Sequence, residues 1–258
     1  MKFTIIFLLL LIQKDTAHGF GPISDVEMLA SGIQQRVLLI TIDGFRSEYI
    51  KTYKLPNFQR FIKHGVYSQF MLSEFPSLTI PSFWSMATGV HTDKHGLVSN
   101  NFYDPILNRK FDHADYSYTR LKLWSNYDPI WVDAVKSGLK TGLLFWPTPN
   151  QMLYNPLAQK KVHTHTKKSL SLNEKIDVAI DLFRNGEFQF CVVRHNEPGM
   201  VSFEEGIGGE RFNRTMRKLD ESLGYLLMKM EHNFMIDASL DFNVMIVSNY
   251  GRFGKNSF

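Results

Sequence analysis

The chain has 258 residues, of which 44% are hydrophobic, and a formal net charge of +4 from 29 Lys and Arg against 25 Asp and Glu. This length allows one substantial hydrophobic core or two small ones, and the composition excludes a low-complexity chain. The positive charge is small and scattered, with no basic block interleaved with aromatic residues, which excludes nucleic acid as the expected partner.

The N-terminal residues have the layout of an export signal. Residues 3–12 (FTIIFLLLLI) form an apolar run after Lys2, and small residues follow near Gly19. The run is shorter than the roughly 17 residues needed to span a bilayer, so we predict a cleaved signal peptide over residues 1–19. An uncleaved anchor is the alternative. We expect a secreted, extracellular protein without a stable membrane span, and a short N-terminal segment at 20–35.

The first predicted strand is followed by a carboxylate. Residues 37–42 are an unbroken apolar run rich in β-branched residues, which is typical of a strand buried on both faces of a parallel sheet. Asp43 then falls at the carboxyl end of the strand, where open α/β sheets bind ligands, and Gly44 allows the backbone to turn. An acidic residue here is about as often a turn or helix cap. Asp43 is therefore a candidate that needs support from elsewhere in the chain.

The next elements lead into a long connection. Apolar positions at helical spacing predict a helix over 55–64, and residues 66–72 are predicted as a second strand. A helix over 81–88 has proline in its first turn. The connection over 90–125 is too long for a plain linker, so we expect it to be functional or partly stranded.

The second half of the chain alternates helix and strand. The predicted helices cover 129–137, 173–184 and 210–231, and the predicted strands cover 141–146, 187–193 and 242–247. This alternation predicts a single α/β domain with a mostly parallel sheet. Cys191, the one cysteine of the chain, lies inside an apolar run and is interpreted as a small buried hydrophobe, not a nucleophile.

Thr79 lies two residues before Pro81, at the start of the helix predicted over 81–88. Its hydroxyl would meet the positive end of the helix dipole and unpaired backbone N–H groups. Two interpretations fit a threonine there: a helix N-cap, which is commoner, or a nucleophile directed at phosphorus. The surrounding sequence favours the second.

Five stretches occur in the order in which one protein family has them: IDGFR at 42–46, FPSLTIPSFWSMATG at 75–89, HGLVSNNFYDP at 95–105, PIWVDAVKSGLKTGLLFWP at 129–147 and DESLGYLL at 220–227. In these motifs the chain resembles the ectonucleotide pyrophosphatase/phosphodiesterase family of the alkaline phosphatase superfamily. The resemblance implies an alkaline-phosphatase-like α/β fold with helices on both faces of the sheet. It also implies that residues 36–258 are a partial catalytic domain, with the C-terminal part of the fold missing.

The resemblance further implies a site of two zinc ions, in which a carboxylate and the nucleophilic hydroxyl bind one metal and the substrate phosphate bridges both. By motif position, Asp43 matches a zinc ligand and Thr79 matches the nucleophile, itself bound to metal. Asn100 matches the amide that hydrogen-bonds a phosphate oxygen. In the family the threonine attacks phosphorus and water then hydrolyses the phospho-threonine.

Four other ligand positions of the family are replaced. Gly199 stands where the family has an aspartate, and Phe203 stands where it has a histidine. Asn249 and Tyr250 replace an aspartate and a histidine after the last strand, and the last family histidine lies beyond residue 258. Glycine and phenylalanine offer no ligand atom, neutral asparagine is a weak ligand, and tyrosine binds zinc well only when deprotonated. We therefore expect weak zinc binding or none.

These replacements predict a secreted pseudoenzyme that is catalytically impaired. The alternative is an active zinc-dependent phosphodiesterase or pyrophosphatase acting through Thr79, in a longer native form or with a rebuilt site. Candidates for rebuilding are Glu204, Glu205, His195, His163 and His165, although solvated loop positions are the commoner interpretation of such residues.

The expected ligand is a nucleotide or another phosphodiester, and no protein partner is indicated. Relatives that cleave nucleotides tend to have Phe after the nucleophile and Asn two residues further on, whereas this chain has Ile80 and Ser82. Isoleucine offers no π-face for a base to stack on, which weakens a nucleotide preference. Asn213 begins the sequon Asn-Arg-Thr and is the predicted glycosylation site.

Overall fold

The structure, a computed structural model, describes residues 34–112, 127–144, 170–236 and 240–252. The predicted signal peptide, His163, His165 and the second part of the 90–125 connection lie outside the described residues. Within the described ranges no helix is both long and apolar enough to cross a membrane.

Strands and helices alternate along the described chain. The strands are β1 (Gln34–Ile42), β2 (Asn101–Asp104), β3 (Arg109–Asp112), β4 (Thr141–Leu144), β5 (Phe190–His195) and β6 (Leu240–Ser248). The helices are α1 (Tyr49–Thr52), α2 (Pro56–Lys63), α3 (Thr79–Thr88), α4 (Thr92–His95), α5 (Ile130–Lys136), α6 (Leu172–Arg184), α7 (Gly199–Glu204) and α8 (Glu210–Ile236).

Four strands form one parallel sheet in the order β4-β5-β1-β6, and β2 pairs with β3 as a separate antiparallel hairpin. In the register of the sheet, Ile42 of β1 lies beside His195 of β5 and Ser248 of β6. The residues that follow these three strands therefore meet at one carboxyl edge. The sequence-based prediction of an α/β fold with a mostly parallel sheet is confirmed.

Each face of the sheet is covered by helices, as the resemblance implied. On one face Leu38 and Ile40 of β1 are buried in a large core with α2, α6 and α8, centred on Phe61, Phe183 and Phe212. On the other face a smaller core packs against α3 and α5. Its central pair is Trp84 and Trp131, whose rings make an edge contact at 6.2 Å. Burial on both faces explains the continuous apolar run at 37–42, because no residue of this run is exposed.

Several predicted boundaries shift by a few residues. Helix α3 begins at Thr79, two residues before the predicted start, and β5 covers 190–195 instead of 187–193. Helix α6 begins after Ser171, whose hydroxyl and the Glu174 carboxylate form a capping box. The described part of the long connection contains α4 and the β2–β3 hairpin, so the expectation of a partly stranded segment is confirmed there.

The strand predicted over residues 66–72 is wrong. This segment is irregular, and Val66, Phe70 and Leu72 are exposed by 60%, 60% and 84%. Both edges of β1 are already paired, with β5 and with β6. Strand propensity depends on finding a partner and a packed face, and this segment pairs with no strand of the described sheet and leaves these three side chains exposed.

Candidate functional site

Asp43 lies at the carboxyl end of β1 and joins three elements. The residue is only 5% exposed. Its backbone N–H donates to the carbonyl of His195 at 2.8 Å, and its carbonyl accepts from the N–H of Gly199 at 2.8 Å. Gly44 follows with a φ of +72°, a conformation that disfavours other residues. These bonds fix the carboxylate between β1, β5 and the start of α7.

Both carboxylate oxygens of Asp43 accept hydrogen bonds from neighbouring side chains. Oδ2 accepts from Nη2 of Arg194 at 2.7 Å, and Oδ1 accepts from Nδ2 of Asn249 at 2.9 Å. The first contact is a partly buried ion pair between a carboxylate and a guanidinium, which is a strong, charge-assisted bond. The Asp43 charge is therefore balanced by a side chain of the protein itself.

Asn249 is oriented by the backbone around it. Its Oδ1 accepts from the N–H of Gly44 at 3.1 Å and from the N–H of Tyr250 at 3.0 Å. The amide NH₂ group is therefore directed at Asp43. Because Asn249 is 1% exposed and all three of these bonds are formed, it acts here as a hydrogen-bond donor to the carboxylate and a brace for the turn after β6.

Thr79 is the first residue of α3. Leu78 occupies the N-cap position, without a capping bond from its side chain, so the N-cap interpretation of Thr79 is wrong. The side chain of Tyr250 forms a hydrogen bond with that of Thr79. Burial, together with the Asp43 charge, raises the pKa of Tyr250, while the Thr79 bond and the nearby Arg252 oppose the rise. The phenol is therefore neutral at physiological pH.

Asn100 lies beside the same helix end. Its Oδ1 accepts from the N–H of Ile80 at 2.9 Å, which leaves the donor group Nδ2 as the atom able to serve an anion. His95 supports this arrangement: its Nδ1 accepts from the N–H of Leu97 at 3.1 Å, so Nε2 carries the proton toward Ser85 Oγ, 2.9 Å away. His95 is 1% exposed and ties α4 to α3, which is a structural role.

Two arginines at the site escaped the sequence analysis. The guanidinium of Arg194 lies 5.5 Å from the ring centre of Phe83, which is one helical turn after Thr79 on the same face of α3. The guanidinium of Arg252 lies 5.0 Å from the ring centre of Phe203. A charged residue inside the apolar strand FCVVRH was the available signal for Arg194. No local pattern marked Arg252.

The four replaced positions differ in what they now contact. Asn249 and Tyr250 touch Asp43 and Thr79, as described above. A Cβ on Gly199 would lie 2.9 Å from the Asp43 carbonyl oxygen, so this position is filled by backbone. Phe203 is 71% exposed and contacts Arg252.

The side chains around Asp43 do not fit a zinc site. Among the residues that the structure describes, no group of three or more His, Cys, Asp or Glu side chains could hold a metal ion. Asp43 itself is approached by a cation and by an amide NH₂ group, both of which repel a metal.

Two of the three described candidates for a rebuilt site have other partners, and the third is buried. Glu204 and Glu205 each form an ion pair of 2.7 Å with Arg211. His195 is buried on the side of the sheet covered by α6, where burial, with the charges of Lys175 and Arg194, lowers its pKa to about 3. Cys191 is fully buried, and burial raises the pKa of its thiol, in agreement with its predicted inert role.

An apolar cavity of about 390 Å³ adjoins the site. Its walls include Phe45, Phe58 and Phe61, and the irregular segment 67–73 covers one side. Tyr250 also lines it, so one residue borders both the cavity and the Thr79 hydroxyl. The volume lies within the range of small-molecule sites.

The parallel sheet with helices on both faces, and the carboxylate and hydroxyl at its carboxyl edge, define an α/β protein with a ligand site at the carboxyl ends of its strands. Residues 37–252 match the sequence model of the family described as type I phosphodiesterase/nucleotide pyrophosphatase. The chain therefore belongs to this family, and the resemblance stated from the motifs is confirmed.

Individual relatives cover most of this chain but only part of their own length. Human ectonucleotide pyrophosphatase/phosphodiesterase family member 5 is 26% identical over 222 residues, which are 84% of this chain and 45% of that protein. Human bis(5'-adenosyl)-triphosphatase is 26% identical over 226 residues, 86% of this chain and 48% of the relative. The chain thus spans about half the length of the curated relatives it matches.

Solved structures share the fold. Murine ectonucleotide pyrophosphatase/phosphodiesterase 5 superposes with a TM-score of 0.73 at 24% identity, covering 84% of this chain and 57% of that one. A second structure, an inactive variant of the murine protein in complex with AMP, gives a TM-score of 0.72 at 23% identity over the same shares of the two chains.

Proposed function

We propose that this chain is a catalytically impaired member of its family, with little or no zinc-dependent hydrolysis. The observation that carries the proposal is the environment of Asp43, whose two carboxylate oxygens accept from Arg194 and Asn249. A zinc ion at this carboxylate would have to displace a guanidinium from a partly buried ion pair. The positions at Gly199 and Phe203 offer no ligand atom in exchange.

Without a metal, Thr79 is a weak nucleophile. Its hydroxyl keeps the N-terminal end of α3 and the hydrogen bond with Tyr250. An alcohol needs an adjacent base, a lowered pKa or a metal to attack phosphorus at useful rates. The neutral phenol of Tyr250 is no base at physiological pH, and the Asp43 charge is compensated. Thr79 and Asn100 can therefore contact a phosphate ester but lack the means to cleave it.

The ligand we propose is a nucleotide or another phosphodiester. The complex of an inactive murine neighbour with AMP and the name of the human triphosphatase relative favour this class. Asn100 offers an amide donor beside Thr79, and the apolar cavity next to Tyr250 has room for an organic group.

The proposal includes export and glycosylation. The apolar run at residues 3–12 motivates the first, and ectonucleotide pyrophosphatase relatives favour it. Asn213 lies in the first turn of α8 and is partly exposed, with its Nδ2 donating to the Gly208 carbonyl at 3.2 Å. An enzyme that removes N-linked glycans should lower the apparent mass of the secreted chain, and the Asn213→Gln variant should lack this change.

An active zinc-dependent phosphodiesterase is the second candidate. The specific observation in its favour is that Thr79 and Asn100 remain together at the end of α3. In that case zinc would have to be held by residues outside the set described here, or by a longer form of the protein.

The first test measures zinc by elemental analysis on the purified secreted protein, beside hydrolysis of the p-nitrophenyl ester of thymidine 5'-monophosphate. We expect substoichiometric zinc, and a residual rate that Thr79→Ala changes by less than about twofold because an unactivated hydroxyl contributes little. Human bis(5'-adenosyl)-triphosphatase serves as the positive control for the assay. Two zinc ions per chain, with turnover that Thr79→Ala abolishes, would refute the proposal and establish the second candidate.

A further inference from the structure

Two arginine side chains lie near the positions where the family motif has metal ligands and this chain has other residues. Arg194 is bonded to Asp43, and Arg252 lies over the ring of Phe203. Arg252 also interacts with the phenol of Tyr250, which in turn is hydrogen-bonded to Thr79. Arg252 is therefore linked to the Thr79 hydroxyl through Tyr250, and Arg194 lies beside Phe83, one helical turn after Thr79.

Guanidinium is well suited to a phosphate group. It is planar, stays charged at physiological pH and presents several N–H donors in a fork that matches phosphate oxygens. In the part of the chain that the structure describes, the buried Nε–H groups of both Arg194 and Arg252 have no hydrogen-bond partner. The hydrogen-bonding capacity of the two side chains is therefore not used up by Asp43 and Phe203.

The charge balance of the two arginines differs. Arg194 is compensated by the Asp43 carboxylate at 2.7 Å, which removes the repulsion that a bare buried carboxylate would exert on an anion. Arg252 has no ion-pair partner within the described ranges, and its guanidinium rests on an aromatic ring instead. A net positive charge thus remains beside Tyr250 and Thr79.

We infer that Arg194 and Arg252 form a metal-independent binding site for phosphate esters, together with Asn100 Nδ2 and the Thr79 hydroxyl. In this site the two guanidinium groups take the place of divalent metal as the source of positive charge. The inference rests on the proposed function, since it concerns the same site in its non-catalytic state, and it specifies the ligand chemistry: a phosphate monoester or diester, held through its phosphate oxygens.

The test is AMP binding by isothermal titration calorimetry on the full secreted chain, in buffer with EDTA. We expect saturable binding that EDTA does not weaken, that inorganic phosphate competes for, and that adenosine cannot reproduce. Arg252→Gln should weaken AMP binding by about tenfold or more, because a charge-assisted contact with phosphate is lost. Arg217→Gln, which removes the same charge from an exposed position on α8, should leave the affinity unchanged.

Arg194 needs a paired substitution, since its removal alone would leave a buried carboxylate without a cation. The double variant Asp43→Asn with Arg194→Gln removes both charges, and we expect it to bind AMP about tenfold more weakly or worse. Thermal melting identifies any variant that does not fold, and Arg252→Gln then decides the question.

Absence of AMP binding in EDTA would overturn the inference, as would binding that needs added zinc, equal binding of adenosine, or an unchanged affinity in Arg252→Gln. These failures are distinct from failure of the proposed function. A chain without zinc, turnover or AMP binding refutes only the arginine site, whereas zinc-dependent turnover refutes the proposed function.

Discussion

Arg194 affects more than the carboxylate that it contacts. The amine of Lys175 on α6 donates to the Arg194 carbonyl at 2.9 Å. Burial, followed by the Arg194 charge, lowers the pKa of this lysine to about 8. His195, the next residue of β5, has its pKa lowered to about 3 by burial and by the charges of Lys175 and Arg194. Burial, more than the Arg194 charge, thus favours the neutral forms of Lys175 and His195.

His195 should contribute to acid sensitivity. The unfolded chain takes up this proton near pH 6.5, whereas the folded chain does so only near pH 3. The unfolded state therefore binds more protons between these values, and the free energy of unfolding falls as the pH drops through this window. At about 1.4 kcal/mol for each pKa unit, the loss is on the order of 3 kcal/mol or more.

Urea denaturation of the wild type and of His195→Leu between pH 7 and pH 4 measures this effect. We expect a shallower fall in the variant, and no such change for His232→Leu, which removes an exposed histidine on α8. Parallel curves for wild type and His195→Leu would show that His195 is not the responsible group.

At the scale of elements, α2 depends on α8 for its N-terminal end. The N-cap of α2 is Leu55, which makes no capping bond with its side chain. Asp220 of α8 supplies the acceptors instead: its Oδ1 accepts from the N–H of Asn57 at 3.0 Å and from the N–H of Phe58 at 2.9 Å. Gly224, one turn further along α8, allows the Asn57 side chain to approach. A side chain of α8 therefore caps the N-terminal end of α2, although the two helices lie far apart in the sequence.

Removing this cap should be costly. Asp220 is 4% exposed, and Asp220→Ala leaves two backbone donors without their acceptor. We expect a loss of about 2–4 kcal/mol in the free energy of unfolding, since an unsatisfied buried donor costs about 1–3 kcal/mol. Ser171→Ala removes a local cap at the exposed start of α6 and should cost only about 1 kcal/mol. Urea denaturation compares the two, and equal losses would contradict the special weight given to Asp220.

At the scale of the whole molecule, the site depends on close backbone contact between two connections of the sheet, the one after β1 and the one after β5. A Cβ on Gly44 would lie 2.6 Å from the Cα of Gly199, and a Cβ on Gly199 would lie 2.9 Å from the Asp43 carbonyl oxygen. The turn after β1 and the start of α7 are therefore in backbone contact, and the N–H of Gly199 closes this contact with its bond to Asp43.

This contact means that one substitution cannot restore the family motif. Gly199→Ala should lower the free energy of unfolding by about 1–3 kcal/mol, because the added methyl group overpacks a rigid backbone. Gly199→Asp should be at least as destabilising and should bind no additional zinc in elemental analysis.

Gly209→Ala is the matched control, since an added Cβ there has no heavy atom within 4 Å. If Gly199→Asp melted like the wild type and bound zinc, the view that backbone fills this position would be wrong.

The wrong strand prediction at 66–72 rested on local propensity alone. In the structure this segment pairs with no strand of the described sheet, and its apolar side chains are exposed. The N-cap interpretation of Thr79, the alternative that the sequence analysis did not favour, differs from the structure by one residue, since Leu78 precedes the first helical turn. Both the sequence analysis and the structure place Thr79 at the N-terminal end of α3.

The amino-acid sequence by itself determined the α/β class, the buried central strand and the family, because apolar periodicity and motif spacing are local properties of the chain. It also identified Asp43, Thr79 and Asn100 as candidates. Only the tertiary structure decided which groups meet Asp43: Arg194 is 151 residues away along the chain, and Asn249 is 206 residues away. Pairings over such separations depend on the register of three parallel strands, and no local pattern in the sequence specifies that register.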